Sequence, residues 1–140
     1  MTNYWMVCGY GINASDISPS VVDKDKLLSF LREKFPNEEI DDNLDVEDYL
    51  DWFASGEYYD NLANLLCCCD DTGLLAWAGN GDGDWYVLYM PKYPWQISEG
   101  DPKTLEELQK IIIAAVQKVC DLSEEEIIKL MSDVNELGCG

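Results

Sequence analysis

The apolar positions of this chain follow two periods, and where the period changes an element changes. Tyr4 to Ile12 is aromatic and β-prone, and predicts a strand ending at Gly9-Tyr10-Gly11. Asn13 to Ser20 contains Pro19, three serines and an Asp, which is loop chemistry. From about Asp23 to Lys34 the spacing becomes helical: Leu27, Leu28, Leu31 and Phe35 share one face, and Pro36 stops the helix. An acidic loop, Asn37 to Asn43, leads to Asp45, which can cap a short helix with Val46, Tyr49, Leu50 and Phe53 on its apolar face. A third helix, about Glu57 to Cys69, is striped by Tyr58, Leu62, Leu65, Leu66 and Cys69.

Period two then returns. Leu74 to Ala78 and Trp85 to Met90 are apolar runs joined by Gly79-Asn80-Gly81-Asp82-Gly83-Asp84, a hairpin signal. After Pro91 and Pro94, Thr104 with Glu107 and Ser123 with Glu126 mark the starts of two further helices. The second of these is expected to bury Ile127, Ile128, Leu130, Met131 and Val134 and to end at Gly138. The predicted order is β-ααα-ββ-αα. It implies an α+β fold in which a small three-stranded, mostly antiparallel sheet is packed by helices, with the first strand paired to the hairpin.

A length of 140 residues fits one domain over 1–140, and 47% hydrophobic content is enough to build a core. The stretch Met1-Thr2-Asn3-Tyr4-Trp5-Met6-Val7-Cys8 lacks the basic n-region of a signal peptide, and no run of apolar residues is long enough to span a bilayer. A cytoplasmic protein is expected. Cys67, Cys68 and Cys69 are consecutive and cannot all face one ion, and there is no CxxC pair; with Cys8 and Cys120 they are expected to be small buried hydrophobes. Cys139, in the Gly138-Cys139-Gly140 tail, is expected to be exposed.

Candidate chemistry is sparse. There is no histidine, which removes His-based triads and the commonest general base. Gly9-Tyr10-Gly11-Ile12-Asn13-Ala14 matches G-x-G-x-x-A, but Ser15-Asp16-Ile17-Ser18-Pro19 follows it instead of a helix, so it reads as a strand end and turn. Asn80, Asp82 and Asp84 resemble the start of a calcium loop, yet Trp85 and Pro91 stand where its Gly and bidentate Glu belong. No catalytic residue, cofactor or metal is therefore assigned. A carboxylate hydrolase with a divalent metal would need acids at a set gap, and with 28 acids any spacing occurs.

The charge map is the most informative feature. Nine Lys and Arg against 28 Asp and Glu leave a net charge of −19, which disfavours direct binding to nucleic acid or to an anionic membrane. Residues 35–91 contain no Lys or Arg and 14 acids. Eight of these, Glu38, Glu39, Asp41, Asp42, Asp45, Glu47, Asp48 and Asp51, crowd into one stretch. On the short helix Glu47, Asp48 and Asp51 fall on the face away from the apolar stripe, at a spacing that makes like charges destabilising. Solvation, adaptation to high salt and divalent-cation buffering also produce acidic surfaces. An uncompensated block nonetheless suits a cationic protein, with Trp52, Tyr58 and Tyr59 as aromatic anchors beside it.

In size, charge and lack of catalytic residues the chain resembles a loose class of small, acidic, phage-encoded inhibitors, among them nucleic-acid-mimicking anti-restriction and anti-CRISPR proteins. The resemblance implies an inhibitor that blocks a basic nucleic-acid-handling effector by filling its Lys- and Arg-lined groove, and transfers no residue role. The alternative is a nucleotide-binding or sponge protein with an aromatic-lined pocket. The oligomeric state is left open, a homodimer included.

Overall fold

The computed structural model describes residues 3–140; Met1 and Thr2, part of the N-terminal stretch read for a leader, lie outside it. The elements are β1 (Tyr4–Asn13), α1 (Lys24–Lys34), α2 (Val46–Phe53), α3 (Tyr58–Cys68), β2 (Ala76–Gly79), β3 (Trp85–Tyr89), α4 (Leu105–Gln117), α5 (Glu124–Leu130) and β4 (Met131–Cys139), with short 3-10 turns at 14–16, 19–21 and 94–96. Helix starts follow the capping residues. Asp23 accepts from the amides of Asp25 and Lys26, Asp45 from Asp48, Thr104 from Glu107 and Ser123 from Glu126. Ser123 and Glu126 form a reciprocal capping box, whereas Glu107 reaches back one residue further, to the amide of Lys103.

The fold is α+β with an antiparallel sheet, but among the described residues the sheet has four strands, in the order β2-β3-β1-β4. The expected long final helix is corrected here. α5 stops at Leu130, and Met131, Val134 and Gly138 belong to β4. Strand β3 pairs with β1 only over Tyr10–Asn13, so Tyr4–Gly9 would have no partner without β4, which pairs from Tyr4 opposite Cys139 to Ile12 opposite Met131. Ser132, Asp133 and Asn135 are poor helix formers, and Val134 fits an alternating pattern as well as a helical one.

Alternation assigns the two faces of the sheet. Ile12 and Val87, flanked by Tyr10, Trp85, Tyr89 and Met131, point into the main core with Leu27, Leu31, Tyr49, Leu50, Leu62, Leu66, Ile112 and Ile127 from the helices. The opposite face carries its own small cluster of Val7, Tyr86, Leu88 and Val134, with Ala78 against it. That face is closed by the sheet itself. The Trp5 indole donates to the Gly79 carbonyl at 2.8 Å, and the Cys139 amide donates to the Asn80 carbonyl at 3.1 Å. The β1–β4 ribbon therefore curls back onto the β2–β3 hairpin tip.

The G-x-G stretch is explained by this curl, and the expected strand end there is corrected: β1 runs through Gly9 and Gly11 to Asn13. A Cβ on Gly11 would overlap the Val87 carbonyl, and one on Gly9 would lie 3.2 Å from the Leu88 Cβ. The two glycines let β3 cross β1 closely, so the motif is structural.

Candidate protein-binding surface on the acidic segment

The acidic segment is held in a defined shape. Ile40 is buried and plugs the loop into the core. The Arg32 guanidinium donates to the Ile40 carbonyl at 3.2 Å, and the Tyr49 hydroxyl donates to the Asp41 carbonyl at 2.7 Å. The Asp41 carboxylate in turn accepts from the Asn43 amide at 2.9 Å. At the other end of α2 the wholly buried Asn61 locks the turn into α3. Its amide donates to the Ala54 and Gly56 carbonyls at 3.1 and 2.9 Å, and its oxygen accepts from the Gly56 amide at 2.9 Å. Neither Arg32 nor Asn61 stood out in the sequence. Only helical spacing hints at Asn61, which lies three residues after Tyr58 and four before Leu65 of the α3 stripe.

All eight expected acids, Glu38, Glu39, Asp41, Asp42, Asp45, Glu47, Asp48 and Asp51, are solvent-exposed. On α2 they are also close enough to interact. The Asp45 charge, then partial desolvation and the Asp51 charge, hold the Asp48 carboxyl above its ordinary value. Asp45 has a second role, since its carboxylate caps α2 by accepting from the Asp48 amide at 2.8 Å. Glu47 and Asp48 lie in the first turn, where the helix dipole favours anions, but Asp51 lies in the last, where it does not.

The chain's cations do not neutralise this block. Among the described residues the ion pairs are Lys26–Asp121, Lys92–Asp101, Lys110–Glu106 and Lys118–Asp71. None involves an acid between Glu38 and Asp51.

The three expected aromatics differ. Trp52 is 37% exposed and packs its edge against Phe35 at 5.4 Å, next to the start of the acidic loop. Tyr58 and Tyr59 are half-buried against the helical core, in an edge-on pair at 5.0 Å. Burial pushes the Tyr58 phenol up to about 12, with the neighbouring Tyr59, Cys120 and Glu47 adding to it, and its oxygen has no hydrogen-bond partner. Trp52 is the anchor with surface to offer.

A cavity of about 740 Å³ lies elsewhere, between α1 and the C-terminal ends of α3 and α4. Lys26, Phe30, Lys34, Cys68, Asp71 and Lys118 are among its lining residues, and Phe30 is its one aromatic. The aromatic residues of the strands do not line it. Cysteines 8, 67, 68, 69, 120 and 139 are all free thiols; Cys69 and Cys120 are buried and Cys139 is exposed. Burial pushes the Cys67, Cys69 and Cys120 thiols up to about 12, which suits packing groups and not nucleophiles. Among the described residues no cluster of three or more His, Cys, Asp or Glu is arranged to hold a metal, and no helix is long and apolar enough to cross a membrane.

No protein-family model, curated protein or solved structure matches the chain.

Proposed function

We propose that the protein acts by binding, and that its acidic segment docks into the cationic groove of a nucleic-acid-handling protein and blocks it. The observation that carries this is the crowding of exposed, unpaired carboxylates on a pinned scaffold. Asp45, Asp48 and Asp51 repel one another strongly enough to lift the Asp48 carboxyl, and no lysine or arginine pairs with them among the described residues. A solvated face needs no such arrangement, because interspersed lysines would keep it soluble at lower cost. A cationic groove would relieve the repulsion, and the long-range field would speed association at low salt. The spacing along α2 supports competition with nucleic acid, since residues three to four apart on a helix place their Cβ atoms ~5–6 Å from one another, a pitch like that of a phosphate backbone.

The test is competition. A fluorescent oligonucleotide bound to each of a panel of basic nucleic-acid-binding proteins is titrated with this protein at low and high salt. Displacement that weakens with salt and is lost in E47Q/D48N/D51N supports the proposal. Asp45 is left in place because it caps α2. Equal displacement by the neutralised variant rejects the acidic segment as the binding surface.

A further inference from the structure

Between β3 and α4 the chain runs through Pro91-Lys92-Tyr93-Pro94-Trp95-Gln96-Ile97-Ser98, and it displays large apolar side chains to solvent. Tyr93 is 63% and Trp95 78% exposed, with Ile97 beside them at 56%. The Tyr93 and Trp95 rings are stacked face to face, with centroids 4.7 Å apart and an interplanar angle of 2°. Such a pair leaves outward π-faces uncovered.

The segment is not a loose loop. Asp101 is buried and gathers its two ends. Its carboxylate accepts from Lys92 Nζ at 2.6 Å and from the Tyr89 hydroxyl at 3.0 Å. It also accepts from the Ser98 amide at 2.7 Å and the Ser98 hydroxyl at 3.1 Å. Between these ends the Tyr93 amide donates to the Gln96 side chain at 3.1 Å, closing the turn that stacks the two rings. Four donors thus converge on one buried acid, and the exposed product of that network is the aromatic pair. Rigid, pre-placed aromatics are what binding hot spots are made of, because little entropy is lost when they engage.

We infer that the Tyr93–Trp95 stack is a second contact point for the cationic partner and receives an arginine guanidinium on its open face. This rests on the reading of the acidic segment as a surface for a basic protein. Charge selects the occupant: at −19 the molecule's field attracts cations and repels polyanions, and among cations the planar guanidinium stacks on an indole better than an ammonium does. A cation–π contact of the ammonium kind already stands where the segment leaves β3, with Lys92 Nζ 5.6 Å from the centre of the Tyr89 ring.

The experiment measures the affinity of the full-length protein for deca-arginine and deca-lysine at low salt, by peptide-labelled anisotropy, in wild type, W95A and E47Q/D48N/D51N. Wild type should prefer deca-arginine. W95A should lose affinity for deca-arginine by about two- to five-fold and keep its deca-lysine affinity, the size of an exposed cation–π contact. An unchanged arginine preference in W95A overturns the inference. So does binding of oligothymidylate that W95A abolishes, which would assign the stack to nucleobases. The neutralised variant separates the two readings: it should weaken both peptides in parallel. If it weakens neither, the acidic segment is not the docking face, whatever W95A shows. Trp95 is a surface residue, and matching far-UV circular dichroism confirms that W95A is folded.

Discussion

The Asn80 amide donates to the Glu136 carboxylate at 2.6 Å, joining the tip of the β2–β3 hairpin to the strand at the opposite edge of the sheet. The other Glu136 oxygen accepts from the Tyr86 hydroxyl at 2.6 Å, and Asn80 also donates to Asp84, which accepts from Asn13. This polar chain closes the curled face over Val7, Leu88 and Val134. Replacing Glu136 with Ala would leave the Tyr86 hydroxyl without its acceptor and the Asn80 amide with Asp84 alone. The expected loss is about 1–3 kcal/mol in urea unfolding, with the fastest rise in amide exchange along β4. Burial, together with the Glu136 bond and charge, raises the Tyr86 phenol well above its ordinary value. Its contribution is therefore complete below about pH 10 and falls as pH rises further, a limb that E136A should flatten.

The helical half of this fold was legible because every helix carries an apolar stripe and α1, α2, α4 and α5 also carry a capping side chain, which α3 lacks. Asp45 before Val46 and Ser123 before Glu124 sit where the structure has them. The fourth strand was not legible, since Ile127, Leu130, Met131 and Val134 match helical spacing whether or not the chain stays helical after Leu130. What decides is distant in sequence: the unpaired half of β1. The curl is hidden for the same reason, as nothing local announces that Trp5 will reach Gly79. Exposure of the acids could be read from α2 periodicity, but their freedom from ion pairs depends on where Lys26, Lys92, Lys110 and Lys118 end up.

Asn61 sets the angle at which α2 leaves α3, through three hydrogen bonds to backbone between Ala54 and Gly56. In N61A the Gly56 amide and two carbonyls lose their partner in a part-buried setting. Urea unfolding should show a loss of about 1–3 kcal/mol, and N61D, whose buried carboxylate would face the Ala54 and Gly56 carbonyls without a donor between them, should lose at least as much at neutral pH. Binding to cationic peptide should weaken in N61A under conditions where the variant is still fully folded, because the acidic helix is no longer fixed against the loop.

Asp101 should dominate the acid sensitivity of the 90–104 segment. The Lys92 ammonium, followed by the Ser98 amide, holds its carboxyl far below the ordinary carboxylate range. A folded-state pKa below the unfolded one means stability that is complete above about pH 4 and is lost as the pH falls toward the folded value. D101N should therefore have a lower Tm at pH 7 and a flatter acid limb than wild type, with the two curves converging at low pH. Trp95 reports the local effect: the stacked pair should loosen in D101N, raising acrylamide quenching of tryptophan fluorescence.

Asp51 is where stability and binding should move in opposite directions. It lies in the last turn of α2, where the helix dipole disfavours an anion, and its charge adds to the repulsion that lifts Asp48. A lysine there reverses both effects. D51K should melt about 2–4 °C higher than wild type at neutral pH and low salt. The gain should shrink in 0.5 M salt as screening removes the repulsion, and it should shrink again below about pH 4 as the remaining carboxyls protonate. The same variant should bind deca-lysine more weakly. A residue kept only for solubility would show the thermal gain with no loss of binding, so an unchanged deca-lysine affinity in a more stable D51K would show that this corner of the acidic face contacts no cationic partner.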